Sequence, residues 1–100
     1  MPTETLDDVI TLIKTSQITI ANRDKNAATR YRLGITISDQ EEIIRTLSKE
    51  DYDKGPMPDH NGTPGNVWVF KKSAYGEIFY IKLKYIVPIK AISCHIDENP

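Results

Sequence analysis

Three runs near the end of the chain alternate apolar and polar residues with a period of two. They are NVWVFKKS (66–73), GEIFYIKLKYI (76–86) and IKAISCHI (89–96). That period sends successive side chains to opposite faces of a β-strand. Residues 73–76, SAYG, make a tight turn between the first two runs, and Val87-Pro88 makes a bend before the third. Strands this closely linked are most economically paired as an antiparallel meander. One face then carries Trp68, Phe70, Phe79, Ile81, Leu83, Tyr85, Ile92, Cys94 and Ile96. The other carries Val69, Lys71, Tyr80, Lys82, Lys84, Ser93 and His95. The first face must be covered, and the cover has to come from the first half of the chain.

That half reads as helical. TLDDVITLIKT sets Leu6, Val9, Ile10 and Ile13 at helical spacing behind Thr5 or Thr3 as N-cap. QITIA (17–21) is a short β-prone run suited to an edge strand. A second helix opens at Asn22 and stops at Gly34. Ser38, with Glu41 three residues on, makes a capping box for a third helix that buries Ile43, Ile44 and Leu47. Ser48 and Asp51 repeat the pattern for a single turn, which Gly55-Pro56 stops. Residues 55–66, with three prolines and three glycines, form one long loop. Helices first and strands last predict an α+β fold, with N-terminal helices packed on one face of a C-terminal antiparallel β-sheet. One domain is expected over residues 1–100.

Composition narrows the function classes. A single cysteine, Cys94, excludes an internal disulfide and paired-cysteine zinc motifs. No Asp/Glu/His cluster has metal-ligand spacing, so neither a metal nor another cofactor is expected. No apolar run has the length of a membrane span, and MPTETLDD lacks the apolar stretch of a secretory signal. A cytoplasmic protein without a membrane partner is the expectation. The net charge of −1 hides an asymmetry. Residues 1–53 hold 7 Lys and Arg against 10 Asp and Glu, whereas 54–96 hold 6 Lys against Asp59 and Glu77. The lysines gather where the strands are, beside a tyrosine and a histidine, which makes the open face a cationic platform.

Such a platform has the parts for metal-independent RNA cleavage. A base takes the proton of a ribose 2′-OH, an acid protonates the leaving 5′-oxygen, and cations stabilise the charge on phosphorus. Histidine suits acid–base work near neutrality, lysines supply fixed positive charge, and a tyrosine can stack on a base or donate a proton. His95, Tyr80, Lys82 and Lys84 form a chemically sufficient set, joined by Lys71 on the same face. Plainer readings stand beside it. Tyr80 is equally suited to cross-strand packing, and Lys54 to offsetting the exposed carbonyls at the end of a helical turn. His60, in the long loop, reads as solvated. His95 and Cys94 are adjacent strand residues facing opposite ways, so they do not share a metal.

The run from about Leu33 to Glu98 resembles the MqsR-like toxins, bacterial mRNA interferases of type II toxin–antitoxin systems with a RelE-like α+β fold. The matching segments are LG (33–34), IIRTLSKEDYDK (43–54), NVW (66–68), GEIFYIKL (76–83) and AISCHIDE (91–98). They cover about two-thirds of the chain, in the family's order and spacing. The resemblance implies an endoribonuclease toxin acting on single-stranded mRNA and restrained by a cognate antitoxin protein. It points to Lys54, Tyr80 and the position of His95 as catalytic; Lys71, Lys82 and Lys84 of the cationic face, with His60 of the loop, are the expected RNA-binding residues. Two positions depart from the pattern. Val69 stands where better-known members have a glutamine after the tryptophan, and His95 where they have a lysine. The missing glutamine and the near-neutral net charge keep a second hypothesis open: a non-catalytic module that binds RNA or a protein through the same face. A third is an unrelated small α+β domain used only for protein contacts.

Overall fold

Helix α1 (Leu6–Thr15) begins at Thr5, whose hydroxyl accepts from the Asp8 amide while the Asp8 carboxylate accepts from the Thr5 amide at 2.8 Å. A short strand β1 (Ile18–Ile20) follows, then α2 (Asp24–Leu33), which Gly34 ends in the left-handed conformation at φ +67°. The computed structural model describes residues 3–98.

Helix α3 (Ile37–Arg45) starts two residues earlier than the Ser38–Glu41 box predicts. Thr36 and Asp39 form the working box instead, with reciprocal bonds of 3.1 and 2.8 Å. The two candidate boxes overlap, and the earlier one leaves Gln40 fully buried with Ile43 and Ile44. Ser48 and Asp51 cap a 3-10 turn (Lys49–Asp51) as expected. The chain then passes directly into strand β2 (Tyr52–Met57), so Gly55-Pro56 stops nothing and the long loop shrinks to 58–66. Proline is tolerated there because β2 is an edge strand, with no neighbour on its outer side.

Strands β3 (Val67–Ala74), β4 (Glu77–Lys84) and β5 (Ile89–Ile96) form the expected antiparallel meander, and β2 extends it. The sheet order is β1-β5-β4-β3-β2. Because β1 pairs with β5 in parallel, the sheet is mixed rather than purely antiparallel. Val9, Ile13, Ile43 and Ile44 from the helices, with Leu47 just after α3, meet Trp68, Phe70, Phe79, Ile81, Leu83 and Cys94 from the sheet in one buried cluster. The α+β layout of helices on one sheet face is therefore as expected.

Strand β5 departs from simple alternation. Lys82 pairs with Ser93, but Leu83 pairs with Ala91, so Ile92 is an extra residue in a β-bulge. The bulge resets the alternation: Ile89 and Ala91 face the core, and the half-buried Ile92 does not take the core place that period two assigns it. Beyond Ala91 strand β1 has ended, and polar side chains take over the outer edge of β5. Asn26 donates to the carbonyls of Ala21 and Ile92 and accepts from the Cys94 amide at 2.9 Å. Gln40 donates to the Cys94 carbonyl at 2.8 Å, and Thr29 accepts from the Ile96 amide. The bonds to the Ile92, Cys94 and Ile96 backbone satisfy strand groups that would otherwise be left unpaired, at a cost of about 1–3 kcal/mol for each buried one. They also fix the start of α2 beside β5, which shapes the site described next.

Candidate functional site

Phe79, Ile81 and Leu83 of β4 are buried, while Tyr80 and Lys82 stand half-buried on the other face. The ladder carries each across the sheet. Lys71, Tyr80 and His95 lie opposite one another in one row. Lys54, Val69, Lys82 and Ser93 make the next row. Directly paired residues share a face, so the expected open-face set is assembled by register. Lys54 joins it through an irregularity in β2. Tyr52 pairs with Phe70 and packs its ring against Trp68 and Phe70, at 6.0 and 6.4 Å between centroids. Two residues later Lys54 pairs with Val69, one position back, which turns it to the opposite face from Tyr52. Lys54 is thus an exposed strand residue rather than the end of a helical turn.

Tyr80 and His95 stack, with centroids 5.6 Å apart and planes inclined by 24°. His95 Nδ1 lies 2.9 Å from the Ile96 carbonyl oxygen. A carbonyl only accepts, so this contact assigns the proton of the neutral ring to Nδ1 and leaves the Nε2 lone pair available. Beside the stack, Lys71 Nζ is 3.0 Å from Asp97 Oδ2, and that hydrogen bond holds the ammonium above its ordinary range. Among the described residues neither Lys54 nor Lys82 forms an ion pair.

Lys84 sits differently. It is 6% exposed, its ammonium 2.8 Å from Asp59 Oδ2 and also bonded to the Thr63 hydroxyl. Asp59 accepts further bonds from the Asn61 amide and the Thr63 hydroxyl, both at 3.0 Å. The lysine first, then those two donors, hold its carboxyl well below the usual range. Lys84 therefore anchors loop 58–66 to the sheet. At Gly65 (φ +99°) an added Cβ would lie 2.5 Å from Ile86 Cγ2 and 3.2 Å from Lys84, so only glycine lets the loop come this close. His60 is exposed on the same loop and does not line the groove beside Tyr80. Val69, the residue in the glutamine position, is fully buried between Lys54 and Lys82.

Strands lie about 4.8 Å apart, so Lys54 stands roughly 10 Å from β4 and 14 Å from β5. Tyr80, His95 and Lys82 form the tight group, with Lys54 two strands from Lys82 across the buried Val69. On the other side of the stack, a groove of about 660 Å³ opens towards the start of α2, where Arg23 and Lys25 join its wall. These two cations escaped sequence reasoning; their one signal is the charged run RDK at 23–25, which carries no mark of facing a strand seventy residues away.

Cys94 lies under the sheet, its thiol pushed up to about 12 by burial. It is an inert core residue, apart from His95. Among the described residues no three His, Cys, Asp or Glu side chains cluster to hold a metal ion, and no helix is long and apolar enough to cross a membrane.

The model of one protein family, described as the motility quorum-sensing regulator, toxin of MqsA, matches residues 1–96. No curated protein and no solved structure matches the chain.

Proposed function

The chain belongs to the family of the motility quorum-sensing regulator, the toxin of a toxin–antitoxin pair, and from that premise we infer that it is a metal-independent endoribonuclease acting on single-stranded mRNA. The observation that carries this reading is the Tyr80–His95 stack, with Nε2 of His95 free and Lys82 in the adjacent row. His95 Nε2 accepts the proton of a ribose 2′-OH as O2′ attacks the neighbouring phosphorus. Lys82 and Lys54 stabilise the charge that builds on the phosphate oxygens. The P–O5′ bond breaks, and the leaving oxygen takes a proton from the imidazolium or from the Tyr80 hydroxyl. The products are a 2′,3′-cyclic phosphate and a free 5′-hydroxyl, with no water consumed. The toxin works as a single domain in the cytoplasm, where a cognate antitoxin protein holds it in check.

Purified protein should cleave single-stranded RNA in the presence of EDTA and leave cyclic phosphate ends. Complete loss with chelator and recovery with magnesium would discard the mechanism. In cells, induction without the antitoxin should arrest bacterial growth. The Tyr80→Phe, Lys54→Ala double variant should not, provided that it accumulates as folded protein.

One observation favours a second reading. Val69 is fully buried where the family's better-known members offer a glutamine, so the middle of the face presents no polar side chain between Lys54 and Lys82. A module that binds RNA or a protein through this face without cutting RNA would look the same. RNA retention without new ends on sequencing gels would select it.

A further inference from the structure

The groove between the Tyr80–His95 stack and the first turn of α2 has a wall unlike the rest of the open face. Arg23, Lys25 and Lys82 line it, but so do Asp24, Asp97 and Glu98. The formal charges cancel. A phosphodiester subsite needs a surplus of cations, because each phosphate brings a full negative charge out of water. This groove has none to offer. A nucleobase is neutral, presents both donors and acceptors along its edge, and needs a flat surface to lie against. The groove meets those terms: an aromatic pair on one side, carboxylates and cationic donors on the other. Its volume of about 660 Å³ suits a ligand of nucleoside size.

We propose that the groove is a nucleobase pocket, which reads the base next to the cleaved phosphate and prefers a base bearing an exocyclic amino group to uracil. This rests on the ribonuclease reading above for its biological sense. The preference follows from the acids. Asp97 is already engaged by Lys71. Glu98 has only a 3.9 Å contact with Lys25, both side chains being about two-thirds exposed, and such a pair is worth little and is easily exchanged. Asp24 forms no ion pair among the described residues. Ionised carboxylates accept and cannot donate. Adenine, cytosine and guanine each offer an amino group to such an acceptor, whereas uracil offers only its ring N3–H, flanked by two carbonyls that a carboxylate repels. Arg23 and Lys25 supply donors to a carbonyl or ring nitrogen on the same edge. The Tyr80–His95 pair thereby serves both sides, stacking the base and placing His95 at the sugar.

The test uses the whole chain and two readouts. In NMR titrations with adenosine, cytidine, guanosine and uridine, the amides of residues 23–26 and of His95 should shift, with uridine weakest. Inorganic phosphate should leave the amides of residues 23–26 unmoved. Equal shifts with all four nucleosides, shifts confined to other parts of the sheet, or a response of residues 23–26 to phosphate would overturn the pocket. These outcomes do not depend on whether the protein cuts RNA. On substrates differing in the single base beside the cleavage site, the Asp24→Asn, Glu98→Gln variant should lower the ratio of kcat/KM for amino-bearing over uracil substrates by about tenfold. An unchanged ratio in the folded variant also overturns it. Absence of cleavage by the wild-type protein, with the nucleoside shifts intact, would remove the ribonuclease reading and leave the pocket standing.

Discussion

Lys82 and Lys84 are two residues apart on one strand and point to the same side of the sheet, yet they have different fates. Lys82 is half-buried, lines the groove and has no ion-pair partner among the described residues. Lys84 is buried beneath loop 58–66 with Asp59 and Thr63 on its ammonium. One end of the face keeps its cation available, and the other uses its cation to hold a loop down. Alternation assigns a side chain to a side of the sheet; what lies over that side decides whether a ligand can reach it.

The comparison breaks most visibly at the residues beside these lysines. His95→Ala should slow RNA cleavage by roughly 10²–10⁴. Tyr80→Ala should do the same while losing only the stacking contribution to stability, about 0.5–1.5 kcal/mol. Ile81→Ala, one residue along and fully buried, should destabilise the domain by about 2–5 kcal/mol. Thermal melts run beside cleavage rates separate the two effects. A Tyr80→Ala protein that melts early beside a stable Ile81→Ala protein would mean that the two faces are exchanged.

The lysines themselves give a finer contrast. Lys82→Ala should weaken RNA binding and reduce the slope of log K against log salt by about 0.7, the loss of one phosphate contact on a single strand. Lys84→Ala should leave the slope alone and instead speed amide exchange across 58–66. Equal losses of slope would show that Lys84 reaches RNA after all, and the two ends of the face would no longer differ.

Much of this contrast was legible beforehand, and the reasons for the remainder are specific. The facing of Tyr80, Lys82, Phe79 and Ile81 follows from period two, which needs only neighbouring residues. Strand β2 was hidden because Gly55-Pro56 reads as a breaker, and proline is acceptable on an edge that the sequence does not reveal. The bulge at Ile92 is a one-residue insertion whose partner is the buried amide of Asn26, 66 residues away. Nothing local in IKAISCHI announces it. Spacing alone sets the α3 cap at Ser38, whose box with Glu41 overlaps the Thr36–Asp39 box that forms, and the burial of Gln40 goes with the earlier start. Lys84 looked as free as Lys82 since the loop that covers it is irregular. The α2 wall of the groove was out of reach for a similar reason: it depends on Asn26, Thr29 and Gln40 replacing a missing strand.

The smallest expected effect tests the loop anchor by pH. Asp59 has a folded-state pKa depressed below the ordinary 3.8, chiefly by its bond to Lys84. A depressed carboxyl stabilises the folded chain fully above the unfolded-state value, where both states are ionised. As pH falls below about 3.8 the unfolded chain takes up its proton first, and the contribution is lost progressively towards the folded-state pKa. Other acids titrate in the same range, and comparison with Asp59→Asn removes their share. The stability gap between wild type and Asp59→Asn, measured by urea unfolding, should therefore be constant from neutral pH to about 4 and narrow below it. Amide exchange in 61–66 should quicken over the same acid interval in the wild type and stay level in the variant. Tyr80 and His95, at the far end of the face, should keep their exchange rates relative to the rest of β4 and β5 throughout. A gap that widens on acidification would reverse the sign and show that Asp59 strains the loop instead of anchoring it.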